Sequence, residues 1–319
     1  MHKYILISFL FLLALKPGEV YCQKASDTLS IEDPVLLDFY TDADSPHKGR
    51  TRLIAGGTLG LYPLSMYWLY TQWYQNYPTS SFHFFNDNKE WEGMDKFAHV
   101  WDAYSIAKPL MHSFRWAGHG EKRSTLYASG IAFLYQTTVE VFDGFSAEWG
   151  FSGGDFLANT AGAAFFAGQQ LLWNEQKITL KYSFRRTDYA QYRPELLGSN
   201  LPEEILKDYN GLTYWASINP RSFSSHDLKF PKWISIGIGF GAEGMTGGHE
   251  NVIENNGRNI PEFERYRQYY FGLDLDLARV DFKSKFLNGF FRVINVIHLP
   301  APALEIRTNR KPVWHWLYF

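Results

Sequence analysis

The hydrophobic pattern of this chain changes period once. Between about residues 53 and 174 apolar positions recur every three to four residues, and from about 175 onward they alternate with polar ones. The uncharged stretch LIAGGTLGLYPLSMYWLYTQWY (53–74) predicts a first helix, long enough to span a bilayer and kinked at Pro63. Tyr67, Trp68, Trp73 and Tyr74 crowd one of its ends. A second helix is expected over 95–114 with a break at Pro109, a third over 124–141 and a fourth over 156–173. Ser152 and Asp155 form a capping box before the fourth. Its small residues Ala158, Gly162, Ala164 and Gly168 predict close helix contacts.

Downstream the alternation is regular. ITLKYSF puts Ile178, Leu180, Tyr182 and Phe184 on one face. WISIGIGFG separates Ile234, Ile236, Ile238 and Phe240 from Ser235, Gly237 and Gly239. YFGLDLDLAR separates Phe271, Leu273, Leu275 and Leu277 from Gly272, Asp274 and Asp276. Such strands are antiparallel with one apolar and one wet face, which puts Asp274 and Asp276 in water. TYWASI after the Asn210-Gly211 turn signal, ALEIRT and VWHWLYF complete the set, and Phe286, Phe290, Ile294 and Ile297 predict a short amphipathic helix. About six strands are too few for a closed single-chain outer-membrane barrel. The expected fold is therefore α+β: a bundle of about four helices (53–174), then an antiparallel sheet or partial barrel (175–319).

The N-terminus changes where this fold is expected to work. Lys3, the apolar run 4–15 and small Val20 and Cys22 describe a secretory leader cut after Cys22, followed by an extension over 23–52. The destination is the cell envelope, either periplasm or outer membrane. A lipoprotein would instead keep and acylate Cys22, although Tyr21 is a poor residue before such a cysteine. Cys22 is the only cysteine, so the mature chain has no disulfide, no thiol nucleophile and no cysteine-bound zinc. A net charge of −2 leaves no electrostatic footprint for nucleic acid. The 18% aromatic content fits either interfacial girdles or a dense aromatic core. Membrane lipid is the expected partner.

Three places put acids into otherwise apolar helices. Asp95, His99 and Asp102 share one helical face in DKFAHVWDAY; Glu140 and Asp143 end the third helix; Asp155 and Asn159 lie one turn apart in the fourth. A lone buried carboxylate is very costly, so these groups must face water, pair with one another, or bind something. One reading is structural: Asp95 favours its helix N-terminus, Asp155 caps, and Lys96 pairs with Glu140 or Asp155. The other makes Asp95, His99, Glu140 and Asp155 a catalytic or ligand set, with Asp95 and His99 holding a divalent metal, because a carboxylate-oriented imidazole serves both roles. Gly150, Gly153 and Gly154 precede a helix, but Asp155 puts an anion where a phosphate would sit. There is no serine–histidine–acid order, zinc-helix motif or Walker loop.

DKFAH (95–99) and EVFDGFSAEWGFSGGDFLANTAG (140–162) together resemble the YfiM-like family of predicted periplasmic lipoproteins of unknown function, in a long version with a sheet-rich extension. More distantly the pair is similar to VanZ-like membrane proteins, which have been linked to glycopeptide resistance. The resemblance places the family pattern on Asp95, Lys96, His99, Glu140, Asp143, Asp155, Asn159 and Gly162, of which Lys96, Asp143, Asn159 and Gly162 are the expected binding residues. Ala98 stands where that family usually has glycine. The resemblance implies an envelope location and a shared polar constellation. The functional expectation is a membrane-associated structural or binding protein, with a metal-assisted hydrolase or transferase on an envelope lipid or glycan, or a barrel-like lipid binder, as alternatives.

Overall fold

The computed structural model describes residues 41–75, 77–224 and 229–319. The leader, Cys22 and most of the 23–52 extension lie outside them. Helix α1 (Lys48–Leu69) continues into a short π-turn over Tyr70–Tyr74. Strand β1 (Phe84–Phe85) pairs parallel with β2 (Phe151–Ser152). Between them run α2 (Met94–Trp116) and α3 (Glu121–Gly144), and α4 (Gly153–Trp173) follows β2. Strand β3 (Ile178–Phe184), the short helices α5 (Pro194–Leu197) and α6 (Leu201–Lys207), β4 (Leu212–Ile218) and β5 (Ile234–Glu243) come next. A small hairpin, β6 (Glu254–Asn255) and β7 (Arg258–Asn259), precedes β8 (Tyr266–Leu275). Helix α7 (Lys285–Ile294), β9 (Ala301–Arg307) and β10 (Val313–Tyr318) end the chain.

Helices α2, α3 and α4 enclose a core of Tyr104, Ala107, Met111, Ala128, Ala132 and Phe166. Helix α2 runs on through Pro109 instead of breaking there, and the Ser113 hydroxyl donates to the Pro109 carbonyl at 2.9 Å. Of the four small residues on α4, Ala158 and Gly162 are buried, whereas Ala164 is exposed and Gly168 has open space around it. At Gly162 α4 packs directly on the α2 backbone: an added Cβ would strike the Val100 carbonyl oxygen and lie 3.0 Å from the Ala103 Cβ. Backbone cannot step aside as a side-chain tip can. Gly162→Val is therefore expected to cost about 2–3 kcal/mol, read as an earlier urea midpoint, and an unchanged midpoint would refute this contact.

Helix α1 packs less deeply. Tyr62 donates to the Thr138 hydroxyl at 2.8 Å and meets Tyr135 edge-on, while Leu59, Leu64 and Tyr67 stay exposed. The expectation of a bilayer-length span fails, since no helix of the described residues is long and apolar enough to cross a membrane. Freedom from charge did not suffice, because residues 53–69 also carry three glycines, a threonine, a proline and a serine among the apolar side chains.

The six long strands form one antiparallel sheet in the order β10-β9-β8-β5-β4-β3, and it does not close. It curls strongly: Tyr318 at the β10 edge lies 2.9 Å from the Thr213 hydroxyl of β4 and donates to Tyr270 of β8. The curl reverses the expected faces. Ser235, Gly237 and Gly239 are buried inside it, while Ile238, Phe271 and Leu273 on the alternate row are exposed. Asp274 and Asp276 are correspondingly buried, not solvated: Asp274 is fully buried and paired with buried Lys181 at 2.7 Å. Trp215 fills the interior, stacked on His298 with centroids 3.9 Å apart. Gly239 leaves the room, since a Cβ there would sit 2.9 Å from the indole.

The bundle covers the outer face of β3 to β5. Phe97 stacks on Phe240 at 4.3 Å and Trp101 meets Tyr182 at 4.5 Å. Met94 sits in a second core with Leu212, Tyr214, Ala242 and Met245. Part of the aromatic richness is thus the joint between helices and sheet.

Candidate functional site

The N-terminus of α2, the last turns of α3 and the first turns of α4 converge at one end of the bundle. What fixes α2 there is a tight turn. Trp91, Glu92 and Gly93 all have positive φ, at 50°, 54° and 86°, a conformation costly for the two non-glycine residues. It is held from the sheet side: the Trp91 amide donates to the Gly248 carbonyl at 2.9 Å, and Glu92 pairs with Arg265 and Arg267 at 3.2 and 3.3 Å. The α4 end is fixed by Ser152, whose hydroxyl accepts from the Asp155 amide at 3.1 Å as the capping box requires.

This convergence brings Asp95, Lys96, His99, Glu140, Asp155 and Asn159 together. Lys96 reaches Asp87 at 2.7 Å, Asp155 at 2.7 Å and Asp95 at 2.9 Å. His99 lies between two sets of groups. Its Nδ1 is 3.0 Å from the Asn159 amide oxygen and 3.4 Å from Glu140. Its Nε2 is 3.7 Å from Asp95 and 3.6 Å from Asp155. The Asn159 amide nitrogen donates to Glu140 at 3.4 Å, which fixes its oxygen toward the ring. Asn159 Oδ1 can only accept, so Nδ1 carries a proton. Nε2 then points at two carboxylates with either a second proton or a lone pair. A lone pair facing two anions is repulsive unless a cation lies between them.

The charge balance is lopsided. Asp87, Asp95, Glu140 and Asp155 surround one lysine and one histidine, with Asp102 and Asp143 at the margin. Glu140 is 1% exposed, and its second carboxylate oxygen has no hydrogen-bond partner. Burial pushes its carboxyl up to about 8 despite His99, and burial with Asp95 and Asp87 pushes Asp155 up to about 9. Burial also acts on Asp95, but His99 and Lys96 outweigh it and hold that carboxyl down at about 2. His99 is raised, its burial overcome by Asp95 and Glu140. Glu140 lies on the Nδ1 side of the ring, so with Asn159 it orients His99; Asp95 and Asp155 face Nε2.

The remaining expected residues serve at the margin. Burial raises Asp143 to about 7, and the residue accepts from Tyr74 at 2.7 Å. It belongs to the last turn of α3. Burial raises Asp102 to about 6, beside Gln136. Gly162 makes the α2–α4 contact and lies a turn beyond Asn159. Two contributors had no signal in the helical pattern. Asp87 comes from the loop after β1 and also accepts from Ser152 at 2.6 Å; Tyr209, just before β4, donates to Asp95 at 2.8 Å.

Asp95, His99 and Asp155 each offer a donor atom within 4.8 Å of the others. Ligands about 2.1 Å from a shared zinc-like ion sit about 3–4 Å apart, as the two Nε2 distances do. The donor set, one imidazole and two carboxylates, suits zinc or manganese.

Residues 83–170 match the family model described as "Predicted periplasmic lipoprotein (DUF2279)". The matched stretch runs from just before Asp87 into the last turn of α4 and contains every acidic member of the cluster. It bears out the resemblance at the level of a periplasmic lipoprotein family of unknown function and supports a place in the cell envelope. No curated protein and no solved structure matches the chain.

Proposed function

We propose that this envelope protein is a binding protein whose helical bundle holds a divalent transition-metal ion between Asp95, His99 and Asp155. The observation that carries the reading is the orientation of His99: its Nδ1 proton is committed to Asn159, and its Nε2 faces two carboxylates 3.6–3.7 Å away. Glu140 and Asn159 supply the hydrogen-bonding shell that fixes tautomer and ring plane. Lys96 neutralises part of the acid surplus, and the ion would neutralise the rest.

The test is metal titration of chelator-stripped full-length protein by calorimetry, with bound metal counted by elemental analysis. One zinc or manganese ion per chain is expected for the wild type. His99→Ala should weaken binding by at least about 100-fold and Glu140→Gln by about 10–100-fold, with secondary structure unchanged by circular dichroism. A folded wild type that takes up no metal would reject this reading. It would favour the structural alternative, in which Lys96, bridging three acids, holds the helices together. Hydrolysis or group transfer on an envelope lipid or glycan would require, beyond bound metal, turnover lost in Asp95→Asn.

A further inference from the structure

The opposite end of the molecule has a different chemistry. There α4 ends, β3 begins, β4 ends, β5 begins and β8 ends. Trp173, Phe223, Trp233 and Phe286 are each between 42% and 53% exposed. They belong to segments tied to one another at this end. Trp173 and Phe223 meet at 6.0 Å, with the Lys177 ammonium about 5 Å over both rings. Arg279 joins Glu175 at 2.7 Å, and Glu175 accepts from Ser222 at 2.6 Å. The Asp276 amide donates to the Trp233 carbonyl, tying the β5 start to the β8 end. Helix α7 follows directly, with none of its residues buried and Phe286 and Leu287 exposed.

This end is basic in a chain whose net charge is −2. In sequence, residues 171–178, 219–235 and 276–294 contain eight lysines and arginines against four aspartates and glutamates. Two of those acids are neutralised by Arg279, at 2.7 Å from Glu175 and 2.9 Å from Asp276. Lys229, Lys232, Lys283 and Arg292 are exposed around the aromatic tips. Exposed Trp and Phe ringed by Lys and Arg, with a short amphipathic helix alongside, is the composition that seats at a headgroup boundary.

We propose that this basic, aromatic end docks onto the surface of an anionic lipid bilayer. The positive charges are drawn to anionic headgroups, and Trp233, Phe286 and Leu287 enter the acyl boundary. Charge complementarity selects this occupant: an apolar protein partner would need no cationic rim. The proposal is independent of metal binding. The long axis of α4 separates the two ends, with Asp155 about 27 Å from Trp173 at the helical rise. A docked molecule therefore presents its acidic centre away from the headgroups, toward ligands in the aqueous phase.

The test is co-sedimentation of the full chain with phosphatidylcholine vesicles and with vesicles that also contain phosphatidylglycerol. The readout is the gain on adding the anionic lipid, because an N-terminal leader or acyl anchor would bind both kinds. Two exposed pairs are varied: Lys232→Glu with Lys283→Glu, and Trp233→Ser with Phe286→Ser. Wild type should bind the anionic vesicles at least about tenfold more strongly, and the charge reversal should remove that gain, since each basic residue near such a surface contributes about fivefold. The aromatic pair should lower binding to both vesicles with its melting temperature unchanged. Equal binding to both vesicles, or an undiminished gain in the charge-reversed protein, would overturn the proposal.

Discussion

Replacing Lys181 with alanine should destabilise the protein by about 3–5 kcal/mol, because it strands a carboxylate inside the curled sheet. Lys181 and Asp274 are both fully buried and 2.7 Å apart. Lys181 also donates to the Leu275 carbonyl at 3.1 Å, and Ser217 donates to Asp274. Among the described residues no other lysine or arginine pairs with Asp274. His298, 3.8 Å from Asp274, is pushed down to about 4, chiefly by its own burial, and stays neutral at working pH. The double replacement Lys181→Met with Asp274→Leu removes both charges and keeps most of the volume, so it should recover most of the loss. Urea unfolding of Lys181→Met, Asp274→Leu and the double variant closes the cycle. A cost below about 1 kcal/mol for Lys181→Ala would mean that water reaches the pair, and with it the sheet's interior.

That pair also shows where sequence pattern stops being informative. Period two in ITLKYSF, WISIGIGFG and YFGLDLDL predicts strands, and strands are found there. Alternation says that two faces differ, but not which one is enclosed. In a flat sheet on a bundle the apolar row would be inside. Here curling encloses the row of Ser, Gly and Asp, whose small side chains leave room for Trp215 and Tyr270, and leaves Phe271 and Leu273 outside. Curl depends on contacts such as Thr213 with Tyr318, 105 residues apart, which no local window contains.

The acidic centre was legible to the extent that it is helical. Asp95 and His99 lie one turn apart on α2, Asp155 and Asn159 one turn apart on α4, and each pair is visible as a polar break in an apolar stripe. Their meeting with Glu140 follows from three helices packing at one end. Asp87 and Tyr209 were invisible because they arrive from loops, where no periodicity marks a residue's direction. The Trp91–Gly93 turn was equally hidden: its positive φ values are enforced by Gly248, Arg265 and Arg267, which are remote in sequence.

The metal-stripped protein should lose stability from about pH 6.5 toward pH 9, above the range in which buried His298 and His112, both lowered to about 4, act in the opposite direction. The sign follows from the two carboxyls of the centre whose folded values are raised furthest; Asp143 and Asp102, raised less, act in the same direction. Glu140 goes from 4.5 to about 8 and Asp155 from 3.8 to about 9, the largest cause in each being burial. A group raised on folding contributes stability that is complete below its unfolded value and disappears as pH climbs through its folded value. His99, also raised, acts in the same direction. Asp95 acts oppositely: held at about 2, its contribution is present above 3.8 and disappears only in stronger acid. Saturating divalent metal should reverse the alkaline limb. A cation between Asp95, His99 and Asp155 replaces protons as the neutralising charge, and ligands must be deprotonated to bind it. The metal-induced rise in melting temperature should therefore be small at pH 5 and grow to about 5 °C or more at pH 8, where an ion at 100 times its dissociation constant contributes about 2.7 kcal/mol. Calorimetric melts across pH, with and without zinc or manganese, decide the matter. An alkaline limb that metal leaves unmoved would show that the buried acids take up protons alone and that Lys96 and His99 complete the cluster without an ion.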